Sequence, residues 1–423
     1  MTSYQDILKK LSPVWTHLTP IIAKKAVGSY IYDQDGSAYL DFTCGIGVTN
    51  TGHCHPRVVE AIQKQAGLLL HGQLNIIVHE PILGLIEQLQ TIVPPSLDGF
   101  FFSNSGAEAI EGAIKLARQV TGRPNIIVFQ GSFHGRTVGT MSLTTSKTIY
   151  RAGYQPLMPG VFVAPYPYAY RYGWESEQTS SWCLEELDFL FLSQTAPQET
   201  AGILIEPVLG EGGYVVPPTS FLRGLRERCN QYGIMLIIDE IQSGFGRTGR
   251  WFGYEHFNVT PDIMTIAKGL ASGLPLSGVI SRLEFMNKWT PGSHGGTYGG
   301  NALAAAAGVA TIQAMRDENM LGNANERGLQ LMTGLRHLQE EFPEIGDVRG
   351  LGLMIGTEFR TPDRKPDKTR AKVVQQACLK RNLLILTCGT WDNVIRWIPP
   401  LIVTSNQVDE ALHIFRDALT DTQ

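Results

Sequence analysis

Residues 234–269 read IMLIIDEIQSGFGRTGRWFGYEHFNVTPDIMTIAKG, and the fold turns on how this stretch is parsed. It holds two short apolar runs. The first, 234–238, stops at Asp239; the second, 263–267, stops at Lys268. Apolar runs of this length, bounded by turn residues, predict buried strands. In open parallel sheets, ligands sit beyond the carboxyl ends of the strands. The two runs therefore present an acid and an amine, 29 residues apart, where such sheets do chemistry. On this stretch alone, a structural ion pair at two strand ends fits equally well.

The same grammar extends upstream. A short apolar run at 100–102 leads into SNSGAEAIEGAIKLARQ, where Ile110, Ile114 and Ala117 mark an amphipathic helix. Glu108 follows Ser105 by three residues, the capping-box spacing. A small-residue turn at a helix start leaves backbone N–H groups free, which suits a phosphate, although such starts also occur without any ligand. The run 125–129 precedes GSFHGRT, whose Phe133 and Arg136 suit ring stacking and a carboxylate fork; a plain core plug is the alternative for Phe133. The run 201–205 ends at Glu206 in EPVLGEGGYVVPP, and FLRGLRERCNQYG then predicts a helix. Strand and helix alternate from 99 to 280, which predicts an α/β fold with a mostly parallel sheet. Downstream, GSHGGTYGG (292–300) is a glycine-rich loop around Thr297, either a turn residue or a phosphate contact, and NALAAAAGVATIQAM predicts a small-residue helix.

The flanks differ in style. Residues 1–45 read as an arm with a hairpin around Asp35-Gly36. In TCGIGVTNTGHCHPRVVEAIQKQ, Pro56 opens a helix, while His53 and His55 are metal-ligand candidates without a third ligand nearby, or loop histidines bonded locally. The stretch 165–182, PYPYAYRYGWESEQTSSW, has no period and reads as an irregular excursion at the surface or near the site mouth. After about 320 come an amphipathic helix, a strand pair in DVRGLGLMIGTEF, a helix over 373–379, a strand in LLILTC, and Arg396 inside the apolar NVIRWIPPLIVT. Arg396 is a site candidate or an edge-strand surface residue. A last helix from about Asn406 carries Val408, Leu412, Phe415 and Leu419 on one face. The division expected is an N-terminal arm (1–50) packing with the small domain, a large domain (51–318) and a small C-terminal domain (319–423).

Composition narrows the function classes. The 423 residues carry 35 basic and 39 acidic side chains, with no basic run that suggests nucleic acid or a membrane surface. No run of 18 or more apolar residues occurs and the N-terminus lacks an apolar signal core. Six sparse cysteines, none in a CxxC pair, predict reduced thiols in a cytoplasmic protein without a structural metal.

A phosphate cradle (Ser105, Gly106, Ala107), an aromatic plate (Phe133), an acid (Asp239) and a lysine (Lys268) together fit one small molecule, pyridoxal 5′-phosphate. Its aldehyde forms a Schiff base with a lysine, its ring nitrogen needs a carboxylate partner, and its phosphate suits a helix N-terminus. Ile241 would pack the ring face opposite Phe133, and Gln242 would donate to the phenolic oxygen. LDFTCGIGVTNTGHCHPRV, FFSNSGAEAIEGAIKLAR, FHGRT, EPVLGEGG, IIDEIQSGFGRTG and IAKGLASGLPLSGVI stand in the order and spacing of a known family. On these motifs, over nearly its whole length, the chain resembles the class III pyridoxal-phosphate-dependent aminotransferases of fold type I, in particular those acting on 4-aminobutyrate.

The resemblance implies a large domain with a mostly parallel seven-stranded sheet plus a smaller α+β domain. It implies that Lys268 is the Schiff-base lysine and general base and that Asp239 partners the pyridine nitrogen. Ser105, Gly106, Ala107, Phe133, His134, Ile241 and Gln242 complete the cofactor set. Thr297 matches a threonine that reaches a neighbouring subunit's phosphate, which implies a homodimer with shared sites, or a tetramer built from it. For the substrate it implies Ile46 in the N-terminal loop, Arg136 on the distal carboxylate, and Glu206 with Arg396 as a switch pair. In such a pair the glutamate neutralises the arginine for donors lacking an α-carboxylate and swings away for 2-oxoglutarate. The products would be succinate semialdehyde and glutamate. Acetylornithine or ornithine transamination, a racemase or decarboxylase on the same fold, and a non-catalytic binding protein are the competing readings.

Overall fold

The computed structural model describes residues 7–422. The chain begins with an antiparallel unit of β1 (Ala23–Val27), β2 (Tyr30–Asp33) and β3 (Ala38–Asp41). Its hairpin turns at Gly36 (φ +88°), and Asp33 Oδ1 accepts the Asp35 and Ser37 N–H groups at 3.0 and 2.9 Å.

Seven strands build the central sheet: β4 (Gly99–Ser103), β5 (Asn125–Phe129), β6 (Val161–Ala164), β7 (Thr200–Ile205), β8 (Met235–Asp239), β9 (Ile263–Ile266) and β10 (Ser277–Ser281). Their spatial order is β4-β10-β9-β8-β7-β5-β6. Only β10 runs against the rest. The interior strands are buried along almost their whole length and mostly apolar because helices cover both faces. Alternate residues prove the point. Ile126, Val128, Leu204 and Ile237 join the core beneath the helix Gly106–Thr121. Their neighbours Ile127, Phe129, Ile203, Ile205, Leu236 and Ile238 join the opposite core with Leu222 and Leu225 of the helix Thr219–Tyr232.

The C-terminal part adds β11 (Ile345–Leu351), β12 (Met354–Phe359), β13 (Leu383–Leu384), β14 (Leu386–Cys388) and β15 (Val394–Trp397). A four-stranded sheet runs β11-β12-β15-β14, backed by the helices Met320–Glu341, Lys368–Lys380 and Ser405–Thr420. The single strand expected in LLILTC is two. The chain breaks at Ile385, so β13 pairs in parallel with β3 while β14 joins β15.

The excursion at 165–182 also differs from its irregular reading. It contains the helical turn Ala169–Tyr172 and the start of the helix Ser176–Ser193. That helix buries Thr179, Ser180, Cys183, Leu187, Leu190 and Phe191. The helical spacing is present, but its first buried positions are hydroxyl residues, so an apolar period does not start until Cys183. His53 and His55 pair with carboxylates, Asp41 (2.8 Å) and Glu318 (3.2 Å). No group of metal-ligating side chains that could hold an ion occurs among the described residues. No helix among them is long and apolar enough to cross a membrane.

Candidate active site

Strands β4, β5, β7, β8 and β9 point the same way, so their carboxyl ends share one edge of the sheet. A cavity of about 370 Å³ lies there, within the range of small-molecule sites. Each strand end contributes to its lining: Ser105, Gly106 and Ala107 after β4, Phe133 and His134 after β5, Glu206 and Glu211 after β7. Asp239, Ile241 and Gln242 come from β8, and Lys268 from β9.

At the β4 end, Ser105 caps the helix Gly106–Thr121 and Glu108 closes the capping box. Glu108 Oε2 accepts the Ser105 and Asn104 N–H groups (2.8 and 2.9 Å), while Gly106 and Ala107, in the first turn, keep their N–H groups unbonded. A Cβ on Gly106 would stand 2.9 Å from Ile241 Cδ1, so the bare glycine keeps this corner open.

Asp239 is fixed from two sides. His134 Nδ1 lies 2.8 Å from its Oδ2, and Ile241 N–H donates to Oδ1 at 3.0 Å. It forms no ion pair with Lys268. Lys268 sits just past β9 in the left-handed region (φ +42°), a strained conformation for a lysine and common at functional sites. Burial pushes its amine down to about 8; Arg396 acts in the same direction, and Glu211, Asp239 and Glu206 oppose it.

The pairing of Glu206 with Arg396 is not what the structure holds. Glu206 is pinned at the end of β7, where Oε1 accepts the Phe133 N–H and Oε2 the Gly210 N–H, both at 2.8 Å. Its two oxygens are committed, and it anchors the Phe133 loop. Arg396 on β15 instead donates from Nη1 to Glu211 Oε1, both side chains being largely buried. The arginine holds Glu211 below the usual carboxylate range against the effect of burial, and burial of Arg396 is outweighed by the Glu211 charge. EPVLGEGG offered two glutamates. The second of them, not the one at the strand end, reaches Arg396.

Three other candidates stand outside the cavity lining. Arg136 is exposed at the rim, its guanidinium 4.7 Å from the Tyr150 ring and 5.8 Å from the Phe133 ring. Ile46 is exposed in a tight left-handed turn (φ +66°), while Val48, two residues on, lines the cavity. Thr297 is exposed in its glycine loop. Arg349, a residue without a motif to flag it, grips the loop that carries Glu211. It donates to Gly213 O (3.0 and 2.6 Å), Asp347 (2.7 Å), Glu358 (2.6 Å) and the Tyr168 hydroxyl (2.7 Å).

This lining fits pyridoxal phosphate. Gln242 Oε1 and His134 Nε2 are buried with no partner, the former in the cavity beside Asp239. Unbonded N–H groups at a helix start, an aromatic side chain, an oriented carboxylate and a lysine with a lowered pKa meet that molecule's phosphate, ring, ring nitrogen and aldehyde.

Comparison with known proteins agrees. Residues 11–419 match the family described as aminotransferase class-III. The chain is 40% identical over 403 residues to a probable 4-aminobutyrate aminotransferase of Bacillus subtilis (strain 168), covering 94% of this chain and 92% of that one. It is 41% identical to the 4-aminobutyrate aminotransferase of Escherichia coli (strain K12), covering 96% and 94%. An alanine/serine racemase of Pyrococcus horikoshii is 38% identical, covering 96% and 87%. Among solved structures, an amine transaminase from an uncultivated Pseudomonas species, in its pyridoxal-phosphate-bound form, superposes with a TM-score of 0.92 at 28% identity, covering 98% and 99%. The chain belongs to the class III aminotransferases. It is an aminotransferase whose cofactor is pyridoxal 5′-phosphate.

Proposed function

We propose that this enzyme takes the amino group of an ω-amino acid, 4-aminobutyrate foremost, and passes it to 2-oxoglutarate, giving succinate semialdehyde and glutamate. The observation that carries the reading is the buried Arg396–Glu211 pair behind Lys268. A donor without a carboxylate on its amine-bearing carbon leaves this pair closed and neutral. A 2-oxo acid brings an α-carboxylate that Arg396 binds once Glu211 turns away. One site thus accepts two substrates that differ by a charge, without leaving a buried guanidinium unpaired. Two of the similar proteins above are named for 4-aminobutyrate, and one of Pseudomonas aeruginosa, 38% identical, is named for 5-aminovalerate.

Pyridoxal phosphate, when bound, supplies the aldehyde that takes up the donor nitrogen and the ring that accepts the electron pair released at the donor carbon. Gly106 and Ala107 offer their N–H groups to its phosphate, beside the Ser105 cap. Phe133 and Ile241, both in the cavity lining, would hold its ring, and Gln242 would contact its phenolic oxygen. Asp239, kept in place by His134, holds the proton on the ring nitrogen. Lys268 Nζ is the amine that would hold the aldehyde, and as a free amine it would take the proton from the donor's amine-bearing carbon. Arg136 receives the distal carboxylate, with Ile46 at the entrance.

The active unit in this reading is a homodimer. Thr297 and Tyr298 are exposed, and the Tyr298 ring lies 5.2 Å from that of His71, tilted at 43°, within a segment that also exposes Leu68, Leu70, Ile76 and Val78. This apolar patch, continuous with the threonine loop, suits a second copy that would receive Thr297 at its phosphate.

The test is a donor panel (4-aminobutyrate, 5-aminovalerate, N-acetylornithine, ornithine, β-alanine) with 2-oxoglutarate, following glutamate. Turnover of 4-aminobutyrate with the highest kcat/KM is expected. Activity confined to N-acetylornithine, or interconversion of alanine enantiomers without any 2-oxo acid, would overturn the reading.

A further inference from the structure

Arg136 is unusual among the arginines near the cavity. It makes no ion pair and no hydrogen bond with any described residue. The acid beside its loop, Glu111, is engaged by the Thr137 hydroxyl at 2.6 Å. What holds the guanidinium is a corner of two rings. Phe133 and Tyr150 meet edge to face, with centroids 5.3 Å apart and planes at 76°, and the guanidinium carbon lies 5.8 and 4.7 Å from them. Tyr150 closes a one-turn helix, Thr148–Tyr150, and the preceding Lys147 is tied to Asp392 by an ion pair. The Tyr150 hydroxyl has no partner, so the ring alone makes the contact.

We propose that Tyr150 is a positioning residue for substrate specificity: its ring carries the Arg136 guanidinium at the cavity rim and so fixes where a donor's distal carboxylate is read. This rests on the reading of Arg136 as the distal-carboxylate receptor. A guanidinium stacked on a ring face is oriented without spending its N–H donors, which stay free in its plane for a bidentate carboxylate. An unsupported arginine at an exposed rim samples many rotamers and loses part of its affinity when it is ordered by substrate. Phe133 belongs to the same corner and also lines the cofactor cavity, so Tyr150 is the wall that can be changed without altering that lining.

The experiment compares matched donors on the holoenzyme: 4-aminobutyrate and butylamine, which share a carbon chain and differ by the distal carboxylate. Butanoate binding, followed by calorimetry, is the second readout. Tyr150→Leu is expected to lower the 4-aminobutyrate to butylamine ratio of kcat/KM by about three- to tenfold, mainly through KM, and to weaken butanoate by a similar factor. Tyr150→Phe keeps the ring and is expected to match the parent in both. Equal losses for the two donors with unchanged butanoate affinity, or Tyr150→Phe as impaired as Tyr150→Leu, would overturn the proposal. Arg136→Ala separates the two levels. If it leaves the ratio intact, the receptor reading itself fails. If it collapses the ratio while Tyr150→Leu does not, only the role of Tyr150 fails.

Discussion

Replacing Glu211 by glutamine removes the charge that neutralises Arg396 and keeps the side chain's size. Both partners are largely buried, the arginine side chain at 6% exposure and the glutamate at 12%. Removing one member of a buried pair costs about 3–5 kcal/mol. The cavity that Glu211 lines opens to solvent, so we discount this to about 2 kcal/mol, roughly thirtyfold in kcat/KM. The loss falls unevenly. A donor lacking an α-carboxylate must react beside an unpaired guanidinium, so the 4-aminobutyrate half-reaction bears it. Glutamate and 2-oxoglutarate bring their own carboxylate to Arg396, and their half-reaction is expected to hold or improve. Stopped-flow absorbance of the bound cofactor follows each half-reaction separately. Glu206→Gln is the control. It disturbs the acceptor for the Phe133 and Gly210 N–H groups and is expected to slow both halves alike. Equal losses in both halves for Glu211→Gln would refute the reasoning, as would a selective loss in Glu206→Gln.

Cofactor uptake by the apoenzyme requires the neutral amine of Lys268. Its pKa is lowered to about 8, so the uptake rate should rise with pH up to about 8 and then level off. A stopped-flow rate still climbing toward pH 10 would show an unperturbed lysine. Glu240, fully buried next to Asp239, accepts the Ser243 hydroxyl (2.6 Å) and the Gly253 and Tyr254 N–H groups (2.9 and 2.7 Å). Glu240→Gln turns an NH2 toward these donors and should cost about 1–3 kcal/mol in denaturant unfolding, where an unchanged midpoint would contradict it. Gly328 lies in the helix Met320–Glu341, and a Cβ there would stand 2.2 Å from the Gly352 carbonyl oxygen. Because a backbone atom is in the way, Gly328→Ala should destabilise by about 1–3 kcal/mol, read as a lower Tm; a neutral result would mean the hairpin yields easily.

Much of the central sheet was legible because its signals are local. The run ending at Asp239 is a strand since β8 is covered on both faces, and nothing but an apolar run satisfies that. The Ser105–Glu108 capping box is a four-residue pattern, and it formed as read. The break in LLILTC was not legible, because both halves favour a strand. Only the neighbours, β3 on one side and β15 on the other, divide them. The helix at Ser176–Ser193 was hidden for a different reason: its buried face opens with Thr179 and Ser180, which carry no apolar signal.

The site shows the same boundary between local and tertiary information. Strand ends told which residues face the ligand edge, since strand direction and length are properties of each segment. Partnership is a property of distance across the fold, and the sequence holds no measure of it. Glu206 and Glu211 are five residues apart in one motif, yet the first is immobilised by two N–H groups and the second lies within reach of β15, 185 residues further on. Arg349 reaches the loop after β7 from the small sheet and bonds Gly213 O, two residues from Glu211. The loop that carries Glu211 is thus held on both sides and at Glu211 itself, by Gly210 N–H on Glu206, the Gly389 N–H on Glu211 O and Arg349 on Gly213 O, so in the proposed switch the Glu211 side chain alone would move. A switch of this kind needs a fixed arginine and a hinged partner. In the proposed switch Arg396, on the buried strand β15, is the fixed partner and Glu211 the mobile one, while the strand-end Glu206 holds the Phe133 loop.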